Sequence, residues 1–585
     1  PGRSQGPHAQ GRDVPAVASG ADSPVGVFTL TADSADGLRR NLAAQAAAVA
    51  RHGRSVAALC WSSNRAKTGL PYRYAVTARD TEELAGALRR AALAPAAARA
   101  AVRPSGAPVV GFLYTGQGSA YPGMTAGLYR DLPAYRRHLD EADAALAPHT
   151  GHSVRELLLT GDERITGARL AQPALFAVQY ALSRTLTGLG VRPAAVLGHS
   201  AGEYAAAVTA GALGLADAAR LVATRAALMA ELPVGTGMLA VRGARDRVEA
   251  LLAEEPHLVL AVVNGPGDTA LSGSLPALER AAAALAAQGL RARFLDAPVG
   301  FHSPAVAPVL PRLREAAAGI AVRRPEVPFV STRYGRLLRD EPLDAGYWAA
   351  QAAAPVLFAD ALGALMRQSA PTHLLELGPR PHLLGLAGRG GFGEGVEFLH
   401  PCPGPAATGR ELADVVATLY RAGLDPDWSA LYAPEHRRPE RLAPYVFDDR
   451  PRFPQAPAPA AGAGDAVAVE ARGDEPAERR QAPEAGRPPL VAAVIRAVAD
   501  VGGYPVAELT AGARFYEDLG FDSVMIMQLK DRIEARLPQL GELSVPDLIP
   551  ALRSIESLAA HLGALPEAEA AAGARVPATA GAGGE

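Results

Sequence analysis

The sequence predicts an α/β protein that carries an extra helical unit near its carboxyl end. Three observations support this prediction. Two short apolar stretches, 109–114 and 194–197, each lead directly into a glycine-containing turn and then a helical pattern, which is how strand, turn and helix follow one another in α/β folds. Residues 238–295 read in the order β-α-β-β-α-β, the order of a ferredoxin-like insert. Residues 490–562 form a separate helical pattern with the size of a small domain.

Periodicity predicts the elements of each region in turn. Near the amino end it predicts a small α+β unit, with strands at 25–30 and 72–77 and helices at 34–52 and 81–93. In the ferredoxin-like stretch it predicts strands at 238–241, 258–264, 269–272 and 292–295 and helices at 244–252 and 274–288. Further along it predicts a helix at 410–422 within a Pro-rich region, followed by helices at 490–501, 523–537 and 554–562.

Shifts in composition divide the chain into segments. Gly, Pro and Ala or small polar residues dominate both ends and one internal stretch, which predicts disorder or a flexible linker there. The predicted segments are a disordered lead-in at 1–24, the small α+β unit at 25–106, the main α/β domain at 107–400 with its insert at about 237–298, a Pro-rich segment at 401–455, a flexible linker at 456–488, a helical domain at 489–565 and a disordered tail at 566–585.

Composition excludes several classes of protein. The 585 residues include 58 basic and 60 acidic side chains, so the formal net charge of −2 gives no strong field for nucleic acid or an anionic membrane. The two cysteines, Cys60 and Cys402, are too few for a disulfide framework, and no spaced ligand set predicts a metal site. No apolar run is long enough for a transmembrane helix. We expect a cytoplasmic protein, and the first residue, Pro1, indicates a fragment or a processed piece.

A candidate nucleophile follows the second apolar stretch. Gly198-His-Ser-Ala-Gly202 has the Gly-x-Ser-x-Gly spacing of a sharp strand-to-helix turn that exposes a serine, although a glycine turn with a capping serine has the same letters. Ser200 needs a base, and His302, in a loop rich in Gly and Pro, is a better candidate than the adjacent His199. A purely structural role for this loop histidine is the alternative.

Four motifs occur in an order and spacing that resemble a known family. Together they resemble the acyltransferase domain of modular polyketide synthases, which is related to malonyl-CoA:carrier-protein transacylases. Residues 25–106 resemble the linker that follows a ketosynthase, 443–448 resembles the post-acyltransferase linker, and 489–565 resembles an acyl carrier protein. The four motifs are Gly-Gln-Gly-Ser with Gly-Met at 116–124, Ala-Gln-Pro at 171–173, Gly-His-Ser-x-Gly-Glu at 198–203 and Phe-His-Ser at 301–303.

The resemblance implies a fold and a catalytic set. The fold is an α/β-hydrolase-like acyltransferase core with the ferredoxin-like insert, and the active site lies in the cleft between them. Ser200 is the nucleophile and His302 the general acid and base. The backbone N–H groups of Gln117 and Ala201 form the oxyanion hole. A backbone carbonyl of Gln351 orients the histidine.

The resemblance also implies a substrate class. Arg225 pairs with the free carboxylate of a malonyl-type acyl unit, for which a bidentate guanidinium is suited. Malonyl is favoured because the bulky Phe301 fills the space that an α-methyl group needs. A substituted malonyl unit stays open, because Gly300 and Ala201 are small where relatives carry larger residues. The residues expected to contact the acyl unit besides Arg225 are Val299, Gly300, Phe301 and Asn264.

The carrier-like region implies a cofactor and partners. Ser523, in Leu519-Gly-Phe-Asp-Ser-Val524, carries 4′-phosphopantetheine, which a separate phosphopantetheinyl transferase adds. The expected partners are malonyl-CoA or another acyl-CoA, the carrier domain in cis, and an upstream ketosynthase with other polyketide synthase domains, but neither nucleic acid nor a membrane. Two other functions stay open, an acyl hydrolase of the same fold and a docking module with an inactive serine.

Overall fold

The computed structural model describes residues 25–447 and 489–564, apart from gaps at 51–54, 67–68, 94–105, 244, 503, 516–517, 520, 522, 538–539, 541–542, 545–547 and 549–550. These residues form two compact units, one within 1–450 and one within 451–585. The predicted disordered ends, 1–24 and 566–585, and the predicted linker, 456–488, lie outside the described residues. Among the helices that the structure describes, none has the length and apolar character needed to cross a membrane.

The amino-terminal part of the first unit is a two-stranded antiparallel sheet covered by helices. Its elements are β1 Gly26–Ala32, α1 Ala35–Val49, α2 Val56–Arg65, β2 Tyr72–Ala78 and α3 Thr81–Leu93. The sequence analysis missed α2. Ser55 caps this helix by accepting a hydrogen bond from the amide of Ala58, and its apolar residues are buried.

The main domain follows and contains two further sheets. Its strands are β3 Val110–Tyr114, β4 Pro193–Gly198, β5 Thr236–Arg242, β6 Leu258–Gly265, β7 Asp268–Ser274, β8 Arg291–Phe294, β9 Phe329–Ser331, β10 Arg336–Leu337, β11 Val356–Leu357, β12 His373–Leu377 and β13 Glu397–Leu399. Its helices are α4 Ala126–Asp131, α5 Pro133–Thr150, α6 Val154–Thr160, α7 Ala171–Gly188, α8 Gly202–Thr209, α9 Leu215–Met229, α10 Arg245–Glu254, α11 Leu275–Ala287, α12 Leu310–Ala318, α13 Ala345–Ala353, α14 Phe358–Ser369, α15 Leu383–Arg389 and α16 Gly409–Arg421.

The larger sheet has six strands in the order β10-β9-β4-β3-β12-β13. All neighbours pair in parallel except β10 and β9. Strand β3 is buried along its whole length, as expected for a central strand covered by helices on both faces. Because β3 and β4 are parallel neighbours, the loop after Tyr114 and the turn after Gly198 lie at the same edge of the sheet.

The smaller sheet has five strands in the order β11-β6-β7-β5-β8. Residues 236–294 supply four of them, and the order of elements there is β-α-β-β-α-β, as the sequence predicted. These four strands pair antiparallel, with the first and third in the centre. Strand β11 adds to the edge in parallel with β6.

A segment near the end of the first unit returns to the amino-terminal helix α1. Two side-chain amides one turn apart on α1 each bind the backbone of this segment through both their donor and their acceptor. Gln45 pairs with the N–H and C=O of Ala443 at 3.1 and 2.9 Å. Asn41 pairs in the same way with Val446 at 2.9 and 3.0 Å. Residues 443–446 are therefore fixed to α1 by backbone recognition.

A buried arginine makes a second connection to the amino-terminal sheet. Arg73 of β2 is fully buried and forms a salt bridge of 2.8 Å with Asp425. Its guanidinium also donates to the carbonyl of Leu424 at 2.9 Å and lies 4.8 Å from the ring centroid of Tyr420. These residues lie at or just after the end of α16, so the small sheet is fixed to this helix.

The second unit is helical. Its helices are α17 Pro489–Gly502, α18 Ser523–Arg536 and α19 Ile555–Gly563. They share a core that includes Val498, Leu529 and Ile555. The segment before α18 is anchored by the hydroxyl of Tyr504, which donates to the carbonyl of Leu519 at 2.7 Å.

Candidate active site

Ser200 lies in a strained turn between β4 and α8. Its backbone φ is +53°, a left-handed conformation that serine rarely adopts. The flanking glycines allow the turn to be this tight. A Cβ at Gly198 would lie 2.3 Å from the amide nitrogen of Glu203, and a Cβ at Gly202 would lie 2.4 Å from the carbonyl oxygen of Tyr114. The turn therefore has the backbone geometry of a nucleophile elbow.

His302 faces the serine from the loop that follows the smaller sheet. Its Nε2 lies 2.7 Å from Ser200 Oγ, a distance suited to proton transfer. His302 is buried and its own φ is +56°, so this residue is also placed by a strained backbone. The two residues are 102 positions apart in the chain, and the fold brings them into contact.

The surroundings of His302 keep its ring neutral. Burial, followed by the positive charge of Arg225, lowers the pKa of His302 to about 3. Its Nδ1–H donates to the carbonyl of Ala354 at 2.8 Å. With Nδ1 protonated, Nε2 is the free base that faces the serine hydroxyl.

The carbonyl that orients His302 differs from the one expected. The sequence predicted Gln351, whereas His302 Nδ1 donates to the carbonyl of Ala354, and the Gln351 carbonyl has a smaller effect on the pKa of His302. Ala354 caps the carboxyl end of α13, where the last carbonyls have no partner within the helix. The side chain of Gln351 instead donates to the carbonyl of Ser200 at 2.8 Å.

The two expected oxyanion donors lie at the starts of helical turns. Gln117 is the first residue of a short 3₁₀ turn after β3, and Ala201 precedes the first residue of α8. Amides at these positions have no acceptor within their own helix. Gly116 allows the loop to approach the elbow, because a Cβ there would lie 3.0 Å from Nδ1 of His199.

Arg225 is a buried cation at the back of the site. It is 2% exposed and projects from α9. Its Nη1 donates to the side-chain carbonyl of Gln172, whose amide donates to Gln117 Oε1 at 3.0 Å. Its Nε has no hydrogen-bond partner among the described residues. The sequence analysis gave Gln172 no role, although it lies in the Ala-Gln-Pro motif.

His199 and Asn264 bind each other. The Nε2–H of His199 donates to Asn264 Oδ1 at 3.0 Å, and burial lowers the pKa of His199 to about 4. The ring of His199 lies 5.6 Å from that of Phe358. Asn264 was expected to contact substrate, and in the structure its side-chain oxygen accepts a hydrogen bond from this histidine.

The residues before His302 pack differently from the sequence-based expectation. Val299 is buried in the hydrophobic core, and Phe301 is half-buried between two core clusters. A Cβ at Gly300 would lie 2.6 Å from Ser272 Oγ and 3.2 Å from the carbonyl oxygen of Gly237. Glycine at this position therefore allows close contact with the smaller sheet.

Glu203 is a buried carboxylate next to the elbow. It is fully buried, and burial raises its pKa to about 7. Thr332 donates to Oε1 through its amide at 2.6 Å and its hydroxyl at 2.7 Å, and Tyr347 donates to Oε2 at 2.8 Å. The sequence analysis quoted Glu203 only as part of a motif, because its partners are more than 120 positions away.

In the second unit, Ser523 is the first residue of α18, as predicted from the sequence. Ser523 is therefore recognised by a local sequence motif at the start of a helix. The long-range contacts described above belong to Ser200, in the first unit.

Comparison with known proteins gives matches to both units. Residues 111–398 match the family described as acyl transferase domain, and residues 492–562 match the family described as phosphopantetheine attachment site. Polyketide synthase GfsA of Streptomyces halstedii is 34% identical over 540 residues, which are 88% of this chain and 7% of that protein. Mycoketide-CoA synthase of Mycobacterium tuberculosis is 33% identical over 79% of this chain and 11% of its own length. The chain thus spans about a tenth or less of these relatives.

Solved acyltransferase domains share the fold of the first unit. The acyl transferase domain of SpnD, in complex with 2-(pent-4-yn-1-yl)malonyl, is 32% identical with a TM-score of 0.61, over 70% of this chain and 97% of that domain. The acyltransferase domain from module 8 of the salinomycin polyketide synthase is 32% identical with a TM-score of 0.59, over 69% and 98%. The chain therefore belongs to the polyketide synthase family and contains an acyltransferase domain and a phosphopantetheine carrier domain.

Proposed function

We propose that Ser200 and His302 transfer a malonyl unit from CoA to the phosphopantetheine thiol of a carrier domain. The observation that carries this proposal is the 2.7 Å contact between Ser200 Oγ and His302 Nε2 beside a buried arginine. The architecture that fits it is an α/β-hydrolase-like core, built on the six-stranded sheet, with a ferredoxin-like insert that carries the loop to His302.

The first half-reaction acylates the serine. His302 Nε2 takes the proton of Ser200 while Oγ attacks the thioester carbon. The N–H groups of Gln117 and Ala201 stabilise the negative charge that develops on the thioester oxygen. The C–S bond then breaks, and His302 returns the proton to the leaving sulfur, which gives free CoA and malonyl-Ser200.

The second half-reaction reverses these steps with another thiol. When bound to a carrier serine, phosphopantetheine would supply the thiol that accepts the acyl unit. His302 Nε2 would take the proton of that thiol and return it to Ser200 Oγ as the ester bond to the serine breaks. Each half-reaction needs the ring to be neutral at its start, and the low pKa of His302 meets this need.

Arg225 supports a dicarboxylic substrate. A buried guanidinium is costly unless a charge or hydrogen bonds balance it. Arg225 donates to the neutral side chain of Gln172, and burial lowers its pKa in spite of the negative charge of Glu203. The free carboxylate of a malonyl unit supplies both the charge and the acceptor for Nε. The carboxylate also offsets the positive charge that lowers the pKa of His302, so a dicarboxylic acyl unit makes the base stronger.

Malonyl is the acyl unit that the packing favours. The half-buried Phe301 lies next to His302, and Gly300 opens toward the smaller sheet rather than toward the serine. The SpnD domain, which resembles the first unit, was solved with a substituted malonyl group, so a larger α-substituent is the second candidate.

The carrier side of the proposal places 4′-phosphopantetheine on Ser523. The family of residues 492–562 is defined by phosphopantetheine attachment, and Ser523 begins a helix inside that range. A phosphopantetheinyl transferase must add the group. Residues 25–106 and 401–455 are proposed as the ketosynthase-side linker and the post-acyltransferase linker, which implies a ketosynthase upstream in the longer synthase.

The test is mass spectrometry of the intact holo chain and of its peptides after mixing with a panel of acyl-CoAs. We expect a malonyl adduct on Ser200 that moves to the arm on Ser523. An equal or faster adduct from a substituted malonyl-CoA rejects the malonyl preference. Fast CoA release without labelling of the arm supports a hydrolase, and absence of any adduct on Ser200 supports an inactive docking module.

A further inference from the structure

Glu203 stands at the junction of three elements that build the active site. It lies in the first turn of α8, three residues after Ser200. Its Oε1 accepts both bonds from Thr332, which directly follows β9, and its Oε2 accepts the bond from Tyr347 on α13. The hydroxyl of Thr332 also lies 3.2 Å from the carbonyl of Gly198 at the end of β4. One carboxylate thus joins the elbow, the neighbouring strand and the helix opposite.

Helix α13 carries the two groups that contact the catalytic pair. Gln351, one turn after Tyr347, donates to the carbonyl of Ser200 at 2.8 Å. Ala354, at the end of the helix, accepts from His302 Nδ1 at 2.8 Å. The position of α13 along its axis therefore sets the orientation of both Ser200 and His302.

We propose that Glu203 is a positioning residue that fixes α13 against the elbow through Tyr347 and thereby aligns Ser200 with His302. The inference rests on the proposed roles of Ser200 and His302. Among the described residues Glu203 makes no hydrogen bond to Arg225 and acts on it only through its negative charge, so its main effect is expected on the rate of the chemical step.

Only the ionised carboxylate of Glu203 accepts all three bonds. When one oxygen carries a proton, it no longer accepts from Tyr347, and the tyrosine hydroxyl turns toward Ser331 Oγ, which lies 2.7 Å away. The pKa of Glu203, raised by burial to about 7, places this change near neutral pH. Activity is therefore expected to rise with pH as the carboxyl ionises through about pH 7.

The other groups around Glu203 do not titrate in that range. Burial raises the pKa of Tyr204 on α8 to about 12 and that of Tyr347 on α13 well above its usual value. His302 has its pKa lowered to about 3. The remaining charges nearby are the guanidinium groups of Arg225 on α9 and of Arg333, which follows Thr332 and faces the Tyr347 ring.

Glu376 offers a matched control. Burial raises its pKa to about 7 as well, but it accepts three backbone amides at the start of α15, from His382, Leu383 and Leu384. Among the described residues, its carboxylate makes no hydrogen bond to α13. A pH effect that belongs to buried carboxylates in general would therefore appear at Glu376 too.

The experiment measures Ser200 reactivity in the full chain between pH 5.5 and 9, with a fluorophosphonate probe and with malonyl-CoA. In the probe reaction Oγ bonds to phosphorus, fluoride leaves, and His302 takes the proton. We expect Glu203→Gln to react about 10-fold more slowly at pH 8, with little change in KM for malonyl-CoA and without the decline in rate below pH 7. In this variant the side-chain carbonyl still accepts from Thr332, but the charged acceptor that holds the Tyr347 hydroxyl is lost.

Two further variants separate positioning from stability. Tyr347→Phe should slow the probe reaction to a similar extent, and the double variant should be no slower than either single one, because both remove the same connection. Glu376→Gln should lower the melting temperature and keep the decline in rate below pH 7.

Each outcome decides the inference. A wild-type rate that is flat with pH, a decline that persists in Glu203→Gln, or additive effects in the double variant would overturn it. If the probe results are as expected but malonyl-CoA leaves no adduct, the proposed acyl transfer fails while the role of Glu203 stands.

Discussion

The two serines of this chain are built in contrasting ways. Ser200 lies between a strand and a helix with a left-handed backbone, and it contacts side chains from positions more than 100 residues away. Ser523 begins α18 inside a compact helical unit. This difference in surroundings matches the roles proposed for the two serines, a nucleophile at Ser200 and a site of cofactor attachment at Ser523. A nucleophile needs a base, oxyanion donors and a fixed approach, which come from distant parts of the chain, whereas a site of cofactor attachment needs an accessible local motif that another enzyme recognises.

The largest effect that tests this contrast comes from removing each hydroxyl. Ser200→Ala should reduce acyl transfer by at least about 1,000-fold, because no other group forms the covalent intermediate. Ser523→Ala should leave acylation of Ser200 intact and prevent attachment of the arm. Intact-mass spectra after incubation with malonyl-CoA measure both. An acyl adduct on the Ser200→Ala chain at a position other than the phosphopantetheine arm on Ser523 would contradict the proposed difference between the two serines.

Arg225→Met tests what the buried positive charge contributes to the site around Ser200. The variant should lose about 10- to 100-fold in kcat/KM for malonyl-CoA, since a bond between charged partners is worth about 1.5–3 kcal/mol. Removal of the positive charge should also raise the pKa of His302 above that of the wild type, toward its ordinary value, so the ring becomes protonated at higher pH than before. Histidine titration by NMR and initial rates measure the two effects.

Acetyl-CoA supplies the control for that variant. The acetyl group has no free carboxylate, so loss of the Arg225 guanidinium removes no bond to it. Without that positive charge, the site also stabilises the His302 imidazolium that forms during transfer. The rate with acetyl-CoA should therefore stay constant or rise in Arg225→Met. An equal loss for both acyl-CoAs would indicate that Arg225 only supports the fold.

Phe301→Ser gives the smallest expected effect and tests where acyl selectivity resides. The variant should shift the ratio of methylmalonyl to malonyl transfer by about 10-fold, the scale of one methyl group in a pocket. Gly300→Ala is the matched change at the neighbouring residue. It should lower the melting temperature because of the contact with Ser272, and leave the acyl ratio unchanged. Competition between the two CoA esters, read by mass on Ser200 and on the arm, measures the ratio.

Local motifs and their resemblance to a known family pointed to Ser200, Ser523 and His302. The glycines around Ser200 and the strand before it predict the turn. The order of elements in residues 236–294 follows from the spacing of apolar residues alone. The same is true of α18, which begins where the Asp-Ser pair predicts. These features depend on neighbours in the sequence, so one sequence is enough to find them.

What the sequence did not reveal depends on distant partners. Glu203 bonds to residues 129 and 144 positions away, and Gln172 to Arg225 53 positions away, so neither role is visible before the chain is folded. The close packing of Gly300 against Ser272 was not visible for the same reason, because Ser272 lies on a strand far away in the sequence. The exact carbonyl on His302 depends on where α13 ends.

The bonds from Asn41 and Gln45 to residues 443–446 recognise backbone atoms and are indifferent to the side chains there. Any segment of similar backbone path satisfies them, provided that helix α1 stays on the same polypeptide. For the construction of hybrid synthases, helix α1 and residues 443–446 should therefore come from the same parent. A junction between them would pair the Asn41 and Gln45 amides with a backbone from another synthase.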